Sequence, residues 1–110
     1  MIKVCMLYGQ GNLVGFTAEG HANYAQDGSD IVCSAVSALT QTTLLGLKER
    51  LNLPLAAEID EDTGIHCVLG SECTQAQRKD AALLLDTMLL GLLSIQAGYG
   101  DYLIITEREV

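Results

Sequence analysis

Two side chains in the segment GHANYAQDGSDIVCSAVSAL, residues 20–39, have the types and spacing for nucleophilic chemistry on a carbonyl: His21 and Cys33. A cysteine reacts as its thiolate, and an ordinary thiol, with a pKa near about 8.5, is only a few per cent ionised at neutral pH. A helix start favours the anion by about 0.3–1 kcal/mol. An imidazolium roughly 4 Å away supplies about 4 kcal/mol at an effective dielectric near 20. The ring is therefore the stronger activator, and it can also serve as general base. His21 follows a strand in EGHA, and eleven residues separate it from Cys33. That is ample chain to turn back over the helix that carries the cysteine. Gly20 and Gly28 bracket the loop and permit backbone angles closed to other residues. The loop is expected to act as a lid.

Asp30 stands three residues before Cys33 and Ser37 four after it, with Thr40 close by. In a helix these share one face, while Val32, Val36 and Leu39 are expected to point elsewhere. Polar residues gathered around a cysteine suggest a site. Asp30 can orient His21, hold the loop, or only cap the helix. The plain readings also stand: a cysteine at a helix start is often a small buried apolar residue, and a loop histidine is often just solvated.

The remaining cysteines, Cys5, Cys67 and Cys73, show no paired CxxC spacing. His66 and Cys67 are adjacent in a predicted strand and so point to opposite faces. No metal site is expected from them, because zinc sites use tighter ligand spacing.

The elements that must position these groups follow from periodicity. Residues 2–8, IKVCMLY, and 13–20, LVGFTAEG, read as a hairpin joined at GQGN. Residues 21–29 form a polar loop. Ser29 or Asp30 is expected to cap a helix reaching about Leu51, with Pro54 blocking extension. LPLAAEID and IHCVLG make a second hairpin. Thr74 and Gln77 have capping-box spacing before a helix from about Gln75 to Ala97, with Gly98 as a left-handed cap. DYLIITER closes the chain as a strand. The expected fold is α+β, in the order β-β-α-β-β-α-β, with a mixed or antiparallel sheet packed by two helices. Residues 1–110 are expected to form one domain. The second helix carries more leucine than one sheet-facing stripe requires, which predicts a homodimer interface.

Composition limits the partners. Net charge is −8, and the six basic residues, Lys3, Lys48, Arg50, Arg78, Lys79 and Arg108, form no stripe. Direct nucleic-acid binding is not expected, whereas a basic protein partner would be attracted. The amino terminus reads as a strand with no signal peptide. The leucine-rich stretch is interrupted by Asp86 and Gln96, so a buried helix is expected and no membrane partner. The expected location is cytoplasmic, with the cysteines reduced.

The block from Gly20 to Leu39 resembles the signature of the bacterial ribosomal-processing cysteine protease family, Prp, and the likeness in length and element order spans nearly the whole chain. The resemblance implies that His21 and Cys33 are a catalytic dyad, and that Asp30, Ser37 and Gly20 support the site. It implies an α+β dimer with a mobile loop over the site and no cofactor. It also implies a substrate: the short amino-terminal extension of large-subunit ribosomal protein twenty-seven. Tyr24 and Tyr99 are candidate walls for the cleaved peptide. Two alternatives use the same residues differently. One is a non-enzymatic ribosome-assembly or peptide-binding protein with a structural Cys33. The other is a protein of thiol redox or another acyl-transfer chemistry; a redox protein would want a resolving cysteine near Cys33.

Overall fold

The computed structural model describes residues 1–20, 29–61 and 63–110 and, at positions 29 and 30, the backbone alone. Strands β1 (Ile2–Gly9) and β2 (Asn12–Glu19) pair antiparallel through a two-residue turn. Both turn residues, Gln10 and Gly11, have positive φ, at 56° and 83°. Such a turn matches the right-handed twist of the flanking strands, which is why a tight hairpin forms here. Strands β3 (Leu55–Asp60) and β4 (Gly64–Leu69) form the second hairpin, and β5 (Leu103–Glu109) ends the fold. The sheet order is β3-β4-β2-β1-β5. All neighbours are antiparallel except β1 and β5, so the sheet is mixed. The α+β class and the order β-β-α-β-β-α-β are as the sequence predicts.

Register explains the core. Met6 lies opposite Phe16, Phe16 opposite Cys67, Val4 and Ile65 opposite Ala18, and Leu103 opposite Ile2. Directly paired residues share a face. That face is buried, with Val4, Phe16 and Leu103 fully enclosed. The helices α1 (Ser29–Leu45) and α2 (Gln75–Tyr99) close the core, with Val32, Leu85 and Leu92 also fully buried.

The helix that follows the described gap does extend close to Leu51, but its final turn, Gly46–Arg50, is π-helical. The Leu51 amide donates to the Gly46 carbonyl at 2.9 Å. This wider turn carries Leu47, which is completely buried. Asn52 then adopts φ +52° and leads the chain out before Pro54.

The capping box of α2 is present: Thr74 Oγ1 accepts from the Gln77 amide at 3.1 Å, and Gln77 Oε1 accepts from the Thr74 amide at 2.8 Å. The expectation that Gly98 ends this helix is corrected. The helix continues to Tyr99, and the following Gly100 keeps a right-handed φ of −60°. The chain turns instead through Tyr102, whose amide donates to the Tyr99 carbonyl. Ala81, Leu85, Met88 and Leu92 form the buried stripe of α2, while Leu83, Leu90 and Leu93 are exposed. By length and composition alone, α2 and the stretch Ile31–Arg50 reach what a membrane-crossing helix needs. In the fold, the apolar stripe of α2 packs on the sheet and on α1.

Candidate active site

Helix α1 begins at Ser29, which makes Cys33 its fifth residue. Its amide therefore falls inside the hydrogen-bonded ladder, and the free donors belong to the turn before it. The side chain still leans back toward that turn, because every Cα–Cβ bond in a helix tilts toward the N-terminus.

Cys33 is half-buried and opens onto a cleft of about 240 Å³ at one end of the sheet. The α1 wall consists of Cys33, Val36, Ser37, Thr40 and Gln41. Cys33, Ser37 and Gln41 recur every four residues and so run as one ridge along the helix. Val36 was expected to point away and instead contributes to the cleft while being 3% exposed. Thr40 is buried, and its hydroxyl donates to the Val36 carbonyl at 2.8 Å. That bond satisfies Thr40 within its own helix, so it acts as wall rather than as a free donor.

The floor is apolar, built from Ile2, Ala18 and Ile65, all buried. The far wall is formed where strands end: Glu19, Gly20, Ile59, Asp60, Glu61 and Gly64. Three of these are carboxylates, and no Lys or Arg is among the lining residues described. Gly20 has φ +101° and lies so close to the Met1 carbonyl that a Cβ would collide with it. Gly64 has φ +89° and meets the Ala18 carbonyl in the same way. Both glycines are thus required by angle and by space, and together they let β2 and β4 close the end of the cleft.

Of the residues singled out from sequence, Cys33, Ser37 and Gly20 meet at this cleft. His21 and Tyr24 lie outside the described residues, as does the Asp30 side chain; the Asp30 backbone is the second residue of α1. Tyr99 does not line the cleft, because α2 ends away from it. His66 is on the opposite face of the sheet, with Nε2 3.3 Å from the Thr63 carbonyl. Cys67 is 2% exposed, and burial pushes its thiol up to about 11. Cys73 is buried beside the Pro54 carbonyl. No cluster of metal-ligating side chains occurs among the described residues. Sequence reasoning missed Gln41, Ile59, Asp60, Glu61 and Glu19. Gln41 was accessible from the four-residue spacing after Ser37; the strand-end residues join α1 only through the tertiary fold.

The family model described as "Cysteine protease Prp" matches residues 1–104. The chain belongs to the Prp family of cysteine proteases. It is accordingly a peptide hydrolase. Among similar Prp proteins, the ribosomal processing cysteine protease of Bacillus subtilis is 30% identical over 99 residues, covering 89% of this chain and 88% of the relative. The protein of that name from Staphylococcus aureus is 30% identical over 96 residues, covering 84% of each. A crystal structure of a Streptococcus mutans protein matches with a TM-score of 0.83 and 25% identity, covering 100% of this chain and 96% of that one. The Staphylococcus aureus ribosomal processing protease Prp, crystallised with a substrate peptide, shares the fold at a TM-score of 0.82 and 22% identity, over 98% of this chain and 100% of that one.

Proposed function

We propose that this Prp protein removes a short amino-terminal extension from large-subunit ribosomal protein twenty-seven, with Cys33 as nucleophile and His21 as its base. The observation that carries this reading is the position of Cys33, half-buried on α1 and open to the cleft beside Ser37 and Gly20. The relatives named ribosomal processing proteases support the substrate class. His21 is covalently bonded to Gly20, a residue of the cleft wall.

In this mechanism His21 takes the Cys33 proton and the thiolate attacks the scissile carbonyl carbon. The C–N bond breaks as the imidazolium protonates the leaving amine, and an acyl-enzyme remains. Water, deprotonated by the same imidazole, adds to the thioester carbonyl. The C–S bond then breaks, releasing the carboxylate and restoring the thiol. Free amides in the first turn of α1 are the donors for the oxyanion. Asp30 and Ser37 support the dyad. The apolar floor takes a hydrophobic side chain of the peptide, and the net charge of −8 draws a basic ribosomal protein through its effect on encounter rate.

In the same reading residues 1–110 act as one domain in the cytoplasm. A second copy covers the exposed Leu83, Leu90 and Leu93 of α2. Leu90→Asp is expected to halve the mass seen by light scattering.

Incubation with ribosomal protein twenty-seven from the same cell, read by mass spectrometry, tests the proposal. A single amino-terminal truncation is expected, lost in both Cys33→Ala and His21→Ala while circular dichroism is unchanged. Truncation that persists in Cys33→Ala overturns it.

A further inference from the structure

We propose that β3, an edge strand among the described residues, is the docking rail for the substrate: an extended peptide pairs with it as one more strand and thereby delivers its scissile bond to Cys33. The inference rests on Cys33 as the nucleophile; family membership supplies only that the substrate is a peptide.

Among the described residues, the sheet order leaves β3 and β5 as the two edges. An edge strand presents a row of backbone donors and acceptors to any extended chain, and proteins normally blunt it with Lys, Pro or a bulge. Neither edge carries a Lys, a Pro or a bulge and both carry charged side chains, Glu58 and Asp60 on β3, but only the end of β3 lines the cleft. β5 ends in Glu107, Arg108 and Glu109. β3, LAAEID, has no Lys and no Pro; Pro54 stops one residue short of it. Its register with β4 runs unbroken from Leu55 opposite Leu69 to Asp60 opposite Gly64, with no bulge. Ala56 and Ala57 are exposed and small, so a second backbone can approach to the roughly 4.8 Å of a sheet neighbour.

The rail leads to the chemistry. Ile59 and Asp60 at the end of β3, with Glu61 beyond, line the same cleft as Cys33 and Ser37. Ile59 is 64% exposed, an apolar side chain at the cleft mouth in position to pack against a cross-strand neighbour. A six-residue strand spans about 20 Å, enough to hold a peptide in register on the approach to the nucleophile. Peptides recognised by strand addition draw affinity from main-chain bonds and specificity from alternate side chains. Here the main-chain bonds come from β3, and the apolar floor and acidic wall of the cleft read the side chains.

The test is a backbone-methylation scan. The probe is a fluorescein-labelled peptide from the amino terminus of the same cell's ribosomal protein twenty-seven, with one peptide nitrogen methylated at a time. Binding to Cys33→Ala is read by fluorescence anisotropy, and cleavage by the unmodified enzyme is measured in parallel. Methylation is expected to weaken binding about tenfold at every second residue and to leave the residues between unchanged, because alternate amides point at the rail. A flat profile, or sensitivity without a two-residue period, overturns the proposal. The two readings fail separately: an alternating profile with no cleavage removes Cys33 as nucleophile and keeps the rail, whereas cleavage with a flat profile does the reverse. Proline at Ala56 and Ala57 in turn provides a second arm. Neighbouring residues point their amides to opposite edges, so one of these prolines spares the β3–β4 ladder. That folded variant is expected to bind the unmethylated peptide about tenfold more weakly. Unchanged binding in it overturns the proposal.

Discussion

Cys67 stands in the middle of β4, paired with Phe16 on one side and Ala57 on the other, 2% exposed. Cys33 stands on α1, half-buried, with the cleft in front of it. For Cys67, burial disfavours the charged form and lifts the thiol from its usual 9.0 to about 11. It fills space in the core, as free cysteines commonly do. Around Cys33 the sheet ends, two glycines with positive φ bring strand ends together, and a helix ridge of Ser37 and Gln41 continues the wall. The difference teaches that a thiol's chemistry is assigned by the element that carries it. A central strand seals both sides of its residues, whereas the first turns of a helix at a sheet end can leave one side open.

The comparison is most sharply tested by removing each sulfur. Cys33→Ala is expected to lower peptide cleavage by roughly 10³-fold or more with the melting temperature unchanged. Cys67→Ala is expected to keep cleavage and to cost roughly 1–2 kcal/mol of stability through the cavity it leaves. The opposite pairing would reverse the assignment. Alkylation ranks the thiols directly. With iodoacetamide at neutral pH, peptide mapping is expected to find Cys33 modified at least about tenfold faster than Cys67. Equal rates would mean that the core is not closed over β4.

Alkaline titration probes the buried partner together with Tyr8, whose hydroxyl is also raised by burial. The Cys67 value is raised in the folded chain, so its contribution to stability is intact below the usual 9.0 and is lost as pH climbs to about 11. Across that window chemical denaturation should register a loss of up to roughly 2.7 kcal/mol from Cys67, at about 1.36 kcal/mol per pH unit. Cys67→Ala should remove the Cys67 share of that slope and leave the share of Tyr8, and a slope unchanged in the variant would assign all of it to other groups. The smallest effect is expected at Ser37, one turn from Cys33. Ser37→Ala should reduce cleavage by no more than about tenfold, a single hydrogen bond's worth, with no change in stability. A loss as deep as that of Cys33→Ala would make Ser37 part of the reacting group rather than its support.

Much of this was legible in the chain. The alternation of IKVCMLY, the turn residues Gln10 and Gly11 and the capping box at Thr74 each act over a few residues, so the sequence carries them directly. The errors have the same physical cause in reverse. Gly98 reads locally as a helix stop, but α2 runs two residues past the expected end at Ala97, to Tyr99, whose carbonyl accepts from the Tyr102 amide. The first helix reads as uniform, but its last turn is π-helical and carries the fully buried Leu47, a contact that only the tertiary fold supplies. Val36 belongs to the apolar period of its helix and nevertheless borders the cleft, because its position lies where the sheet runs out beneath it.

The sequence by itself determined the element order, the α+β class and the pairing of residue types at Gly20, Cys33 and Ser37, since these depend on periods and spacings within one segment. Only the tertiary structure decided which strands lie at the sheet edges among the described residues, and that Ile59, Asp60 and Glu61 face the same cleft as Cys33. Those residues are more than twenty positions apart in the chain. Sheet order and long-range packing alone bring them together, and no local period encodes that.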